Sequence, residues 1–204
     1  MKNQLVVSNK ILKADKYFNS ENLAKLLNSP DNVRDKFYMT WHSNLGIRIS
    51  DIVGQKKRGK VRSLGQEIDR IDWDNNRIET YDFKKDEWRW VYFPTTITPL
   101  LKMWLKERQK LEIKSRELFP YSEKTCNRIV KKWSHNIEFK FADKVSSHWF
   151  RHTFIRLSRR AGRDIKAVQQ NTGDTVKTLL EWYSDLDEEG MRFELDTKPL
   201  FKES

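Results

Sequence analysis

An α+β fold, mostly helical with a small antiparallel sheet of about three strands, is the class that the 204-residue sequence predicts. Three observations carry it. Apolar residues recur at helical spacing along most of the chain, residues 68–93 switch to the period of two that marks strands, and glycine, proline or asparagine breaks the pattern at the joins.

In chain order, Ser20 is placed to cap a helix to about Asn28 that turns Leu23, Leu26 and Leu27 inward. Ser29-Pro30-Asp31 breaks it, and a second helix runs to about Leu45, where Gly46 offers a left-handed stop. Ile49, Ile52 and Val53 share one face of a short helix beginning near Arg48. The basic stretch GQKKRGKVRSLGQ that follows reads as an exposed loop. Asn75-Asn76 then separates one strand from Arg77–Phe83, and Lys84 to Glu87 separates that from Trp88–Phe93, where Trp88, Trp90 and Tyr92 alternate with Arg89, Val91 and Phe93. Thr98-Pro99 reads as an N-cap with proline at the first helical position, opening a helix to about Glu112 with Leu101, Trp104 and Leu105 inward. Further helices are expected at about 123–134, 148–161, 164–171 and 175–183. The chain therefore divides into a lead-in (1–19), one domain (20–183) and a tail (184–204).

Charge narrows the function. The net charge is +11, yet the tail after Tyr183 holds seven acids against three bases, so the body is more basic than the whole. Such a body attracts a polyanion, and nucleic acid is the commonest. A single cysteine, Cys126, excludes an internal disulfide and a cysteine-based zinc site. No apolar run approaches the length of a membrane span, and MKNQLVVSNK lacks the apolar core and cleavage site of a signal peptide. A cytoplasmic, nucleoid-associated protein is expected.

Three segments carry chemistry. Arg48, in Gly46-Ile47-Arg48-Ile49-Ser50-Asp51, follows a helix stop and can emerge beside backbone donors. In Ser147-His148-Trp149-Phe150-Arg151-His152, Ser146 or Ser147 can cap the helix, placing His148 and Arg151 on one face of its first turn. Helix N-termini favour phosphate, arginine grips two phosphate oxygens at once, and histidine can donate or relay a proton. Tyr183 ends the helix from Thr175, on a stripe with Val176, Leu179 and Leu180, and a tyrosine so placed is ordinarily core.

Taken in order, G-I-R-I-S-D, a lysine hairpin, H-x-x-R-H and a tyrosine 32 residues after the arginine resemble the tyrosine recombinases, over about Lys10 to Tyr183. The resemblance implies a helical fold with a three-stranded sheet at one edge. It implies that Arg48 and Arg151 clamp the scissile phosphate of double-stranded DNA, that His148 assists, and that Tyr183 attacks to leave a 3′-phosphotyrosine and a free 5′-hydroxyl. It also implies a hairpin lysine that protonates the leaving oxygen. Lys85 is favoured by its spacing to Arg89 and Pro94, and Lys84 stays open. Asp51 matches the acid that buttresses the first arginine, and His152 completes the motif.

No metal or other cofactor is implied. A homotetramer on DNA is implied, together with a C-terminal tail that docks on a neighbouring protomer. The family also places a helical clamp domain ahead of the catalytic one, and 19 residues precede Ser20 here. The basic residues Lys56, Lys57, Arg58, Lys60 and Arg62 are expected to follow the DNA backbone. One departure stands out. The position nine before the tyrosine, histidine or tryptophan in the family, is Asp174, which reads as an N-cap for the helix from Thr175. Two alternatives stay open: a type IB topoisomerase-like nicking and resealing enzyme, and a non-catalytic DNA-binding protein on a recombinase scaffold.

Overall fold

Helix capping sets the register of the helical part. In this computed structural model, which describes residues 16–57, 60–82 and 85–184, α1 (Ser20–Asn28) is capped by Asn19, whose side chain accepts from the Asn22 amide. The cap is thus one residue earlier than Ser20. Asn32 caps α2 (Val33–Leu45), which ends on Gly46 in the left-handed conformation, φ 67°. The expected stop is where the sequence places it. Glycine is required twice over, because a Cβ at Gly46 would lie 2.1 Å from Phe154 Cδ1. Gly46→Ala should therefore cost about 2–3 kcal/mol, from left-handed strain plus overpacking. Urea unfolding measures this, and an unchanged midpoint would show that the turn accepts a side chain.

α2 is the central helix. It buries Phe37, Tyr38, Met39, Trp41 and Leu45 and packs on α4 (Thr98–Lys110) and α6 (His148–Arg160). Its aromatic residues pack on neighbours: Phe37 stacks on Phe119 at 5.3 Å between ring centroids, and Trp41 lies tilted against Phe93 at 5.1 Å. The polar ends of these rings are satisfied. Trp41 Nε1 donates to Gln66 (2.7 Å), Trp104 Nε1 to the Leu118 carbonyl (3.0 Å), and Trp133 Nε1, on α5 (Glu123–Asn136), to Asp35 (2.9 Å).

After α3 (Ile49–Val53) the basic stretch is not a loop. β1 (Gln55–Lys57) and β2 (Lys60–Ser63) pair antiparallel, Lys56 with Val61 and Lys57 with Lys60. The stretch lacks the apolar alternation by which strands are recognised, and its pairing shows only in the backbone register. Arg58 of the expected DNA-binding set lies outside the described residues.

The three-stranded antiparallel sheet is as expected: β3 (Ile71–Asp72), β4 (Arg77–Asp82) and β5 (Glu87–Tyr92), in that order, preceded by a 3-10 turn at Ile68–Arg70. Ile78 opposite Val91 anchors it to the core. A second 3-10 turn, Thr95–Ile97, precedes α4, so Thr98 is its first residue rather than its cap and makes no capping bond.

The last three helices form a smaller cluster. α6, α7 (Ile165–Thr172) and α8 (Val176–Ser184) meet through Phe154, Ile155, Val168 and Leu179. Of the described side chains of α8, Leu179 alone is buried, while Val176 and Leu180 are exposed. The apolar stripe read as a core face is thus half at the surface. Burying Leu179 stabilises by about 1.5–3 kcal/mol. Among the described residues no helix is long and apolar enough to cross a membrane.

Candidate active site

Two segments more than a hundred residues apart in sequence meet at one carboxylate. Arg48, the N-cap residue of α3, points its Nη2 at Asp174 Oδ1, 3.0 Å away. Arg151, in the first turn of α6, pairs through Nη2 with Asp174 Oδ2. Asp174 thus gives one oxygen to each arginine. Side-chain exposure is 23% for Arg48, 5% for Arg151 and 11% for Asp174, so the contacts are made largely out of water.

Each arginine is held in place. The other nitrogen of Arg151, Nη1, donates to the carbonyls of Gly46 and Thr172, both at 2.9 Å, which ties the α2–α3 turn to the end of α7. The neighbouring carbonyl, Ile47, accepts from His42 Nε2 at 3.0 Å. Both carbonyls ahead of Arg48 are therefore pinned. His42 Nδ1 faces the Tyr38 hydroxyl at 3.2 Å, which in turn is 2.8 Å from Ser147 Oγ at the start of α6. This buried chain joins the two arginine-bearing segments. Ser147 stands at the N-cap position of α6, one of the two residues expected there, but its hydroxyl is spent here and makes no capping bond.

His42 is wholly buried, and desolvation pushes its pKa down to about 3, with the Ile47 carbonyl opposing and the charges of His148 and Arg151 adding to the fall. The unfolded chain takes up a proton below pH 6.5 that the folded one refuses until about 3. Stability is therefore fully present above 6.5 and falls as pH drops from there towards 3. The loss is about 1.4 kcal/mol per pH unit from this group. Urea unfolding at pH 7 and pH 5 should show the slope, and His42→Gln should lack it. An equal slope in both proteins would mean that His42 is not held neutral.

Asp174 follows Gly173, left-handed at φ 71° and the C-cap of α7. Its amide donates to Thr172 Oγ1 (3.3 Å), and it does not cap α8. That part falls to Thr175, whose Oγ1 accepts from the Thr178 amide at 3.1 Å. The expected N-cap reading is corrected, because two guanidinium charges outcompete one exposed helix amide for the carboxylate.

Beneath this turn lies an arginine that the motif reading used only for spacing. Arg89, on β5, donates through Nη1 to the carbonyls of Gln170 (2.7 Å) and Asn171 (2.9 Å), while its Nε stands 3.6 Å from Asp82. A Cβ on Gly173 would meet Asp82 at 2.9 Å and Arg89 at 3.1 Å, so the turn sits directly on this pair. Asn171 bonds the Tyr92 backbone in both directions (3.0 and 2.8 Å), closing the sheet edge with the end of α7. Period two put Arg89 on the same face as buried Val91 and Phe93. A charge on a buried face was the available signal.

Asp51 is buried behind the arginines. Desolvation raises its pKa, against the lowering pull of Arg48, Arg89 and Arg151. Its Oδ2 has no hydrogen-bond partner among the described residues, and neither has the buried Arg48 Nη1. His148 stands exposed at the rim, its ring 4.5 Å from that of buried His152. Partial desolvation, then the positive field of Arg151 and Arg48, holds its pKa below the ordinary histidine value, so the ring is neutral at pH 7. His148 is exposed where Arg151, three residues on in the same turn, is buried.

The remaining candidates are placed as follows. Lys85 lies in the β4–β5 turn, half exposed, with Nζ 3.6 Å from Glu87. Lys84 lies outside the described residues, as does the tail from 185. The backbone of Tyr183 is in the last turn of α8, which packs on α6 and α7. Lys56 and Lys57 are on β1 and Lys60 and Arg62 on β2, so that hairpin gathers the basic set.

Solved structures with this fold include XerA recombinase (20% identity, TM-score 0.74, covering 91% of this chain and 66% of that one). XerH site-specific recombinase bound to palindromic difH substrate is another (21%, TM-score 0.68, covering 90% and 52%). A third is the catalytic domain of bacteriophage HP1 integrase (16%, TM-score 0.57, covering 90% and 95%). The chain thus spans about half to two thirds of the Xer recombinases and nearly all of the HP1 domain. No curated protein is similar enough in sequence to count as a relative. The Phage integrase family matches residues 16–189, taking in both arginines, Asp174 and Tyr183, and the chain belongs to that family.

Proposed function

We propose that this protein cuts and rejoins double-stranded DNA at specific sites through a covalent bond from Tyr183. The observation that carries the reading is the convergence of Arg48 and Arg151 on a single anion, next to the helix whose last turn holds Tyr183. Two fixed guanidinium groups, partly dehydrated, match the oxygens of a phosphodiester and the extra charge of its transition state. They supply the positive charge of the reaction without a metal ion.

In this reading the Tyr183 oxygen forms a bond to phosphorus while the bond from phosphorus to the 5′ oxygen breaks. A 3′-phosphotyrosine results, and the 5′ oxygen leaves as a hydroxyl with a proton from the hairpin lysine, Lys85 or Lys84. His148, neutral at pH 7, can donate its N–H to a phosphate oxygen or relay the phenolic proton. Asp51 supports the arginines from behind. Because the phosphotyrosine keeps the energy of the broken bond, a 5′-hydroxyl from a second strand can reverse the step without a nucleotide cofactor. The basic residues Lys56, Lys57, Lys60 and Arg62 of the β1–β2 pair, with Arg58 between them in sequence, add affinity for the DNA backbone. Assembly as a tetramer on paired sites completes strand exchange.

One observation favours a second reading, a DNA-binding protein without catalysis. The anion between the arginines is the protein's own Asp174. A duplex nicked so that the 5′-hydroxyl fragment escapes separates the two. A protein–DNA adduct on a denaturing gel supports the enzyme, and tetramers on paired sites support recombination. Tight binding with no adduct supports the second reading.

A further inference from the structure

We propose that Asp174 is an internal stand-in for the scissile phosphate, filling the two-arginine site in the free protein and giving it up when a phosphodiester enters. The proposal rests on the reading of Arg48 and Arg151 as the phosphate clamp.

Three features support an exchange rather than a permanent structural bridge. The carboxylate divides its oxygens between the two guanidinium groups, as two non-bridging phosphate oxygens would. Its placement is built in, because Gly173 in the left-handed turn, resting on Arg89 and Asp82, and the Asp174 amide on Thr172 Oγ1 deliver it to that point. The site also keeps a donor that the carboxylate leaves unused. Arg48 Nη1 is buried with no hydrogen-bond partner among the described residues, and a tetrahedral phosphate offers more acceptor positions than a planar carboxylate.

Charge makes the two anions exclude one another. Asp51 already lies behind the arginines, so a phosphodiester and the Asp174 carboxylate together would crowd anions around the same two guanidinium groups in a poorly hydrated space. One must leave. The carboxylate can do so by rotating about its own side-chain bonds, with the Thr172–Gly173 turn left in place. In the free protein, then, Asp174 already engages both guanidinium groups, and a loose anion competes poorly for them. Only a phosphate delivered by the whole DNA interface displaces it.

Inorganic phosphate is the probe, because it tests the exchange without DNA. Its effect on the melting temperature of the full chain is compared with chloride at equal ionic strength, for the native protein, Asp174→Asn, and Asp174→Asn combined with Arg48→Ala. Asp174→Asn should bind phosphate at least about tenfold more tightly than the native protein, and the added Arg48→Ala should remove the gain. If Asp174→Asn does not fold, Asp174→His carries the same expectation. Equal phosphate response in native and Asp174-substituted protein overturns the proposal, as does a gain that survives Arg48→Ala. The nicked duplex keeps the two readings apart. A phosphate gain without a Tyr183 adduct in any variant supports the exchange and overturns the strand-cutting reading. An adduct without a phosphate gain overturns the exchange alone.

Discussion

Arg151→Lys is expected to slow DNA cleavage by on the order of 10² or more. Arg151 does two things at once, and lysine can do neither fully. Its Nη1 fastens the Gly46 and Thr172 carbonyls at 2.9 Å each, and its Nη2 faces the anion position shared with Arg48. A lysine ammonium is a single point at the end of a flexible stem. It cannot lie between two carbonyls and also present a planar edge to phosphate. One or both carbonyls are then left buried without a donor, at about 1–3 kcal/mol each. The loss should therefore appear in stability as well as in rate, with DNA affinity reduced less than either. Single-turnover adduct formation and urea unfolding report the two effects. A variant that cleaves at the native rate would remove Arg151 from the phosphate clamp.

Tyr183→Phe is expected to abolish the covalent adduct while leaving DNA affinity within about twofold. The substitution removes one hydroxyl and keeps the ring, so the fold has little reason to change. In the proposed complex, ground-state affinity comes from the excess of basic charge over the whole body, to which a neutral phenol contributes little. In the proposed mechanism the chemical step depends on the hydroxyl entirely. Binding measured by mobility shift, beside adduct formation on the nicked duplex, separates the two terms. Loss of binding together with cleavage would mean that the tyrosine supports the interface rather than the reaction.

The fold was legible where local rules govern it. Gly46 marked the end of α2, and period two with its asparagine break marked the sheet. The bounds of α5 to α8 fall within two residues of those read from apolar spacing. Caps were read less well. Asn19 caps α1 where Ser20 was expected, Thr98 makes no cap, and Ser147 turns inward to Tyr38. In each case a neighbouring residue or a tertiary partner offers a better acceptor or donor than the local pattern shows. The β1–β2 ribbon was hidden because backbone pairing between polar residues leaves no hydrophobic signature.

At the site, the motif spacing singled out Arg48 and Arg151, which converge on one carboxylate, and the segments that carry them. It could not show what joins them. The chain from Ser147 through Tyr38 and His42 to the Ile47 carbonyl, and the Arg89 contacts beneath Gly173, link residues distant in sequence and leave no periodic trace. Asp174 was visible as a departure, but its partners were not. An aspartate ahead of a helix ordinarily caps it, and only the folded chain brings two arginines close enough to claim it.

The central claim is that Tyr183 is the nucleophile, and the most direct test is to identify the residue that carries the DNA. The native full-length chain is trapped on a nicked duplex, digested with protease, and the nucleotide-bearing peptide is sequenced by mass spectrometry. The account predicts one modified peptide, spanning the end of α8, with the 3′-phosphate on Tyr183. A phosphate on any other residue, or no linked peptide from protein that binds the duplex, would contradict it.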